Sequence, residues 1–339
     1  MSFTVGVVGA GVVGLSVALK LKEDFGSRVN VTIIAEHYVQ GTTSFGSGGF
    51  WEPYAIAGTA DEDINRWGQI SFSHFCDESN KETAAESGVQ MITVHQLYEE
   101  HEELKIPSWS NIVHNFQLLD IDALQKMGLP RKYVKGYSFG SYVADQKYYL
   151  QYLMKLLKNF GVKFVQRRLD SLRELHGKYD CIINCTGLGS HKAIDDQEMY
   201  PIRGQVLRVR APWMKGVWFF GKNYVIPNSD NVVLGGTQQK DDWNTNVDIN
   251  DTDTILRKVG EVFPALAKAP IENIWVGLRP GRAPLRLDSE EVNGQFIIHN
   301  YGHGGSGITL AMGCAHDVVV NHLIPWLTSN SKLQRARLQ

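Results

Sequence analysis

The segment VGVVGAGVVGLSVALKL, Val5–Leu21, constrains the fold more than any other part of the chain. An unbroken apolar run reads as a buried parallel strand; it stops at a glycine turn and resumes with helical spacing. Gly9, Gly11 and Gly14 fall in the pattern G-x-G-x-x-G. The first permits a tight turn, the second lets a pyrophosphate approach the backbone, and the third lets helix and strand pack closely. The backbone of Gly9, Ala10, Gly11, Val12, Val13 and Gly14 is then the expected phosphate cradle, because a helix start offers free N–H groups and partial positive charge. Alone, the motif could be a structural turn. Here it follows a strand, opens a helix, and is answered by Glu36 at the end of the next strand. A carboxylate there suits a ribose 2′-OH and opposes a 2′-phosphate. NADP is disfavoured; NAD and FAD stay open.

Periodicity along the chain predicts strands at Phe3–Val8, Val29–Ala35, Val89–Val94, Val162–Gln166 and Cys181–Asn184. It predicts helices at Val12–Glu23, Asp61–Ser79, Ile121–Lys126 and Lys147–Phe160. GYSFGSYVAD alternates like a further strand. After residue 200 the character changes. Gly204–Arg210, Asn223–Ile226 and Val232–Gly235 read as antiparallel strands with polar turns, followed by a helix at Asp251–Phe263 and strands at Ile271–Leu278 and Phe296–His299. A long helix over Ile308–Leu327 closes the chain, with Pro325 disturbing its end. This order predicts an α/β fold: a Rossmann-like FAD-binding domain with an inserted antiparallel-sheet substrate domain. The expected division is 1–60, 140–195 and 285–339 for the discontinuous cofactor domain, and 61–139 with 196–284 for the substrate domain.

Net charge is −2, so no basic surplus points to nucleic acid. Cys76, Cys181, Cys185 and Cys314 make no CxxC pair and have no histidines at metal spacing, so no metal is expected. Val5–Leu19 carries no charge, but no Lys or Arg precedes it and its glycines recur at fixed offsets, which opposes a targeting segment. No other window is expected to approach a membrane span, and an intracellular protein is anticipated.

The far end of the chain separates the two cofactors. IIHNYGHGGSGITLAMGCAHDVV, Ile297–Val318, is a strand, a second glycine turn and a helix. Gly302, Gly304, Gly305, Ser306, Gly307, Ile308 and Thr309 form another nest of helix-start donors, with the Thr309 hydroxyl as an added donor. Nicotinamide enzymes have no standing need of it. A reduced flavin carries negative charge around N1 and the O2 carbonyl, which a helix start stabilises.

With GGFWEPY at Gly48–Tyr54, INCTGLGS at Ile183–Ser190, PIRGQVLRVRAPW at Pro201–Trp213, LGGTQQKDDWN at Leu234–Asn244, GLRPGRAPLRL at Gly277–Leu287 and HNYGHGGSGIT at His299–Thr309, the sequence resembles the D-amino-acid oxidase family, which includes D-aspartate oxidases. The resemblance covers nearly the whole chain. It implies FAD and oxidative deamination of a D-amino acid to a 2-oxo acid, by hydride transfer from the alpha carbon to flavin N5, with O2 reduced to H2O2. Carried over by residue, it implies that Arg279 binds the substrate carboxylate, that Tyr224 hydrogen-bonds it, and that the Gly305 carbonyl accepts from the amine. Thr43, Ser44, Gly49 and Trp51 would wrap the pyrophosphate and ring; Thr186 and Gly187 would touch the dinucleotide. Arg282 lies three residues past Arg279, on the opposite face of a strand, and is assigned to structure.

Two departures matter. MKGVWFFGKNYVIP is shorter than its counterpart in vertebrate D-amino-acid oxidases and lacks a lid tyrosine, leaving Trp218 or Phe219 to cover the pocket. Glu52 stands where relatives often have Gln; ionised and facing the pocket, it would disfavour acidic side chains and attract cationic ones. D-Aspartate oxidases need extra cations, yet Gln238 replaces the arginine after GGT, and only Lys215 or Lys222 could substitute. The expectation is therefore neutral or basic D-amino acids, with D-aspartate as the alternative and an NAD-dependent dehydrogenase as the rival from another class. The expected partners are a small-molecule D-amino acid and O2, with no nucleic acid and no membrane; a homodimer stays open. The resemblance implies peroxisomes, otherwise cytoplasm, although ARL at Ala336–Leu338 is followed by Gln339 and SKL at Ser331–Leu333 lies further in.

Overall fold

The computed structural model describes residues 2–330. β1 (Phe3–Val8), α1 (Val12–Phe25) and β2 (Val29–Ala35) form the expected β-α-β unit. Val5, Val7, Leu15 and Val17 are fully buried, each stabilising the unit by roughly 1.5–3 kcal/mol. Two 3-10 turns, Val39–Gly41 and Thr43–Gly46, carry the chain toward α2 (Asp61–Asn80). α2 buries Ile64, Trp67, Ser71, Phe72 and Phe75 along one stripe.

β3 (Val89–Glu99), β4 (His114–Leu119) and β5 (Tyr133–Ala144) follow, then α3 (Gln146–Asn159), β6 (Lys163–Gln166) and β7 (Cys181–Asn184). The expected short helix Ile121–Lys126 is present, and the Asp120 side chain accepts from the Ala123 N–H at 2.8 Å. β8 (Tyr200–Val209), β9 (Val217–Phe220), β10 (Asn223–Pro227) and β11 (Val232–Gly235) precede α4 (Ile249–Val262). β12 (Ile271–Val292), β13 (Gln295–His303) and α5 (Gly307–Asp317) close the order.

All these strands join one sheet, in the order β4-β5-β3-β9-β10-β11-β8-β12-β13-β7-β1-β2-β6. β13, β7, β1, β2 and β6 are mutually parallel. The rest is antiparallel apart from the parallel β3–β9 pair. β12 is the seam. Its first half pairs with β8 and its second with β13, across a register shift between Gly281 and Arg286. The sequence predicts a strand only to Leu278; in the structure it runs on, and Pro284 falls within that irregular stretch, where the ladder needs no N–H. β4 and β9 are short and were not anticipated.

The closing helix departs from expectation. Gly307–Ser329 is long and apolar enough to cross a membrane, contrary to the expectation that no second window approaches a span. Two-thirds of its apolar window is buried inside the protein. Trp67 Nε1 and Arg66 Nη1 of α2 donate to Asp317 at 3.0 and 2.8 Å. The disturbance attributed to Pro325 lies just ahead of it: Val318–Leu323 widens into a π turn, and helix resumes at Ile324–Ser329. A proline has no N–H for the preceding turn, which frees a carbonyl there.

Candidate active site

A cleft of about 520 Å³ opens where β1, β2, β7 and β13 end at their carboxyl sides. That is where a parallel sheet presents helix starts to a ligand. Gly9 holds φ +112°, and a Cβ there would lie 2.3 Å from the Cys185 carbonyl oxygen, so only glycine makes this turn. The Gly9 N–H is tied to Ile34 O at 2.9 Å, and Cys185 N–H to Val8 O at 2.8 Å. The first helical bond of α1 runs from Leu15 N–H to Gly11 O. Val12 N–H is taken by Ser44 Oγ at 3.0 Å, while the N–H groups of Gly11 and Val13, both in the cleft wall, have no acceptor among the described residues. Gly14 lies behind the turn, its Cα packed on the Gly9 carbonyl, and does not line the cleft. Glu36 lines it at the end of β2, half-exposed, with Arg168 Nη1 at 3.2 Å. Thr43, Ser44, Gly49, Thr186 and Gly187 are also in the wall.

The C-terminal turn forms the other end. α5 makes its first bond from Leu310 N–H to Ser306 O, leaving the N–H groups of Gly307 and Ile308, in the cleft wall, without an acceptor among the described residues. Gly304 and Gly305 line the cleft; Gly302 does not. Ser306 and Thr309 do something else than expected. Ser306 Oγ accepts from Tyr54 N–H at 2.8 Å and donates to Tyr54 O at 2.9 Å. Thr309 Oγ1 accepts from Glu52 N–H at 3.1 Å and donates to Glu52 O at 2.8 Å. Both hydroxyls are spent clamping residues 52–54 onto the helix start, so Thr309 is no free donor to a flavin. Trp51 is likewise displaced from its expected place. The chain alternates there, placing Phe50 and Glu52 in the cleft and Trp51 in the core. Trp51 Nε1 donates to Gly68 O at 3.2 Å, and its ring meets Phe72 and Trp109 edge-on.

Arg279 and Tyr224 share the cleft. A Cβ on Gly204 would fall 2.2 Å from Arg279 Nη1, so the guanidinium occupies space that only glycine on the neighbouring strand leaves open. Arg279 Nη1 donates to Thr237 O at 3.1 Å, and no carboxylate among the described residues pairs with it. Its Cζ sits 5.8 Å from the Tyr54 ring centroid. Tyr224 is buried against Gly235 and Gly236, and Phe219 lies beside it with ring centroids 6.1 Å apart. Of the two aromatics offered as pocket covers, Phe219 lines the cleft. Trp218 points the other way, onto His95 and Phe263. Arg282 faces away from Arg279, bound to Asp196 at 2.9 Å and Glu198 at 2.6 Å.

Glu52 has no hydrogen-bond or ion-pair partner for its carboxyl among the described residues, and burial pushes it up to about 8. The side chain is therefore half-buried in the cleft wall, not paired with any described Arg or Lys, and mostly protonated near neutral pH. Sequence reasoning missed Tyr54, Asn300 and His303. Burial pushes the Tyr54 hydroxyl up, with Arg279 pulling it back down. Among the described residues, neither amide atom of Asn300, fully buried in the wall, has a partner, nor has Nε2 of His303, which burial drives down to about 3. Tyr54 could have been read from its place in GGFWEPY; Asn300 and His303 gave no signal beyond adjacency to the glycine turn.

These features fit a long anionic ligand with polar rings. Two helix starts offer unpaired N–H groups, the turn between them has no Cβ to obstruct a phosphate, and orphaned polar side chains line the middle. The family described as FAD dependent oxidoreductase matches residues 4–319. The chain belongs to that family. FAD is thus its cofactor, and the protein is a flavin oxidoreductase of mixed α/β fold. Among relatives of this FAD dependent oxidoreductase, human D-aspartate oxidase is 34% identical over 317 residues, 92% of each chain. The D-amino acid oxidase of Dugesia ryukyuensis is 36% identical over 327 residues, covering 93% of this chain and 96% of that one. The solved structure of glycine oxidase from Bacillus cereus ATCC 14579 superposes with a TM-score of 0.78 over 98% of each chain, at 19% identity, a likeness of fold.

Proposed function

We propose that this oxidoreductase deaminates D-amino acids to 2-oxo acids and ammonia, reducing O2 to H2O2. The observation that carries this reading is Arg279: a guanidinium in the cofactor cleft with one donor on Thr237 O and no acid of its own. A carboxylate in that position gains two parallel N–H···O bonds. The Tyr224 hydroxyl adds a third contact. The Gly305 carbonyl, which pairs with no described donor, suits the substrate amine. Together these fix three substituents of the alpha carbon and leave one direction for its C–H. Bound FAD supplies a two-electron hydride acceptor. The chain's part is to hold the amine neutral and the C–H aligned, and to exclude water with Phe50, Phe219 and Tyr224; no strong base is required. The imine left after loss of the hydride and the amine proton is hydrolysed by water.

The same reading divides the chain into an FAD-binding part, 1–60, 140–195 and 285–339, and a substrate part, 61–139 and 196–284. The seams near 140 and 285 run through β5 and β12, so the two parts share one sheet. A peroxisomal site would suit a peroxide-forming enzyme; both terminal tripeptides, SKL and ARL, lie outside the described residues. A peroxide-coupled assay with D- and L-amino acids tests the reading. Peroxide released from D-enantiomers alone supports it, and peroxide from neither, in flavin-loaded protein, refutes it.

A further inference from the structure

At the substrate end of the cleft two ionisable side chains line the wall, and neither has a counter-ion among the described residues: Arg279 and Glu52. The remaining Lys, Arg, Asp and Glu side chains of the wall, Glu36, Arg167, Arg168 and Lys192, cluster at the β2 end and are paired. Glu36 meets Arg168, Arg167 meets Glu174, and Lys192 meets Asp170. The Tyr54 hydroxyl is under the influence of Arg279, Tyr224 and Glu52. The other titratable groups that sense Glu52 are Tyr98 of β3 and Tyr137 of β5, both raised by their burial; no cation among the described residues is paired with it. The Thr309 clamp fixes its backbone at both N–H and C=O. A fixed, largely desolvated carboxyl with no partner among the described residues is stabilised by a cation more than by any other group.

We propose that Glu52 makes basic D-amino acids the preferred substrates, receiving the side-chain ammonium or guanidinium while Arg279 holds the alpha-carboxylate. This rests on the D-amino-acid reading above. Burial keeps Glu52 largely protonated in the empty pocket; an arriving cation favours the carboxylate, and the proton leaves to solvent. D-Aspartate brings no cation to draw the proton from Glu52. Its second carboxylate would approach Glu52, and neither Gln238, Lys215 nor Lys222 lines the cleft to receive it.

The test compares the flavin-loaded enzyme with its Glu52→Gln variant on D-lysine, D-norleucine, which is nearly the same shape without the amine, and D-aspartate. Wild type is expected to favour D-lysine over D-norleucine in kcat/KM by about tenfold or more, roughly 1.4 kcal/mol. In Glu52→Gln that ratio falls toward one, and the ratio of D-aspartate to D-norleucine rises. Wild type favouring D-norleucine, or a variant that keeps the wild-type ratio, overturns the proposal and leaves D-amino-acid oxidation standing. The wild-type ratio decides even if the variant fails to fold. Flavin-loaded enzyme that oxidises none of the three overturns the underlying reading instead.

Discussion

Replacing Glu52 by Gln should stabilise the protein, and by an amount that depends on pH. The carboxyl is moved from 4.5 to about 8 by burial. A raised folded value means that the folded state holds the proton more tightly than the unfolded one. Stability is then lost as pH rises from 4.5 to 8 and is level above that. Linkage for such a group gives a loss of about 3.5 kcal/mol between about pH 5 and pH 8. Glu52 is only half-buried and keeps some solvent access through the cleft, so screening reduces this to about 2 kcal/mol. Gln has the same shape and does not titrate. The variant and wild type should therefore melt nearly together at acid pH, and the variant should gain about 3 °C at the alkaline end, given the unfolding entropy of a chain this long. The assay is thermal unfolding across that pH range with both proteins saturated in FAD, so that ligand linkage cancels. Melting temperatures that stay parallel across the range would refute the reasoning, because Glu52 would then have either an ordinary carboxyl or a hidden cation.

Arg279→Ala should lower kcat/KM on every D-amino acid by a factor of about 100–1000, or ~3–4 kcal/mol, while the yellow flavin spectrum persists. Gly204→Ala puts a methyl 2.2 Å from Arg279 Nη1 and should raise KM by about tenfold or more without loss of flavin, as steady-state kinetics will report. Gly11→Val directs a side chain into the phosphate path; fluorescence titration should show FAD affinity reduced by about tenfold or more. Ser306→Ala with Thr309→Val releases residues 52–54 from the helix start and should cost about 1–2 kcal/mol of stability per hydroxyl, measured by urea unfolding.

The β-α-β unit was legible because its signals are local: an apolar strand, glycines at fixed offsets and a helical period share one short window. β12 was only half legible. The expected strand ends at Leu278, and the ladder that carries it past Pro280 and Pro284 exists only once β8 and β13 flank it. The closing helix was legible as far as a disturbance by Pro325; that the disturbance is a π turn at Val318–Leu323 depends on how the backbone accommodates the proline. At the site, residue types were readable and directions were not. Phe50, Trp51 and Glu52 are consecutive, and only the clamp by Ser306 and Thr309, far along the chain, decides which of them faces the cleft. Thr309 was expected as a donor to the flavin because the sequence shows its position in the helix start but not the Glu52 backbone that takes its hydroxyl. Asn300 and His303 emerge only from burial, since an unpartnered polar atom has no signature in a sequence.

The most direct test of the account is to mix purified, flavin-loaded protein with a D-amino acid in the absence of oxygen and follow its visible absorption. The account predicts that the yellow band bleaches with D-enantiomers, that L-enantiomers leave it unchanged, and that admitting air restores it with release of H2O2. Protein that stays colourless when FAD is added, or a band that no D-amino acid bleaches, would contradict it.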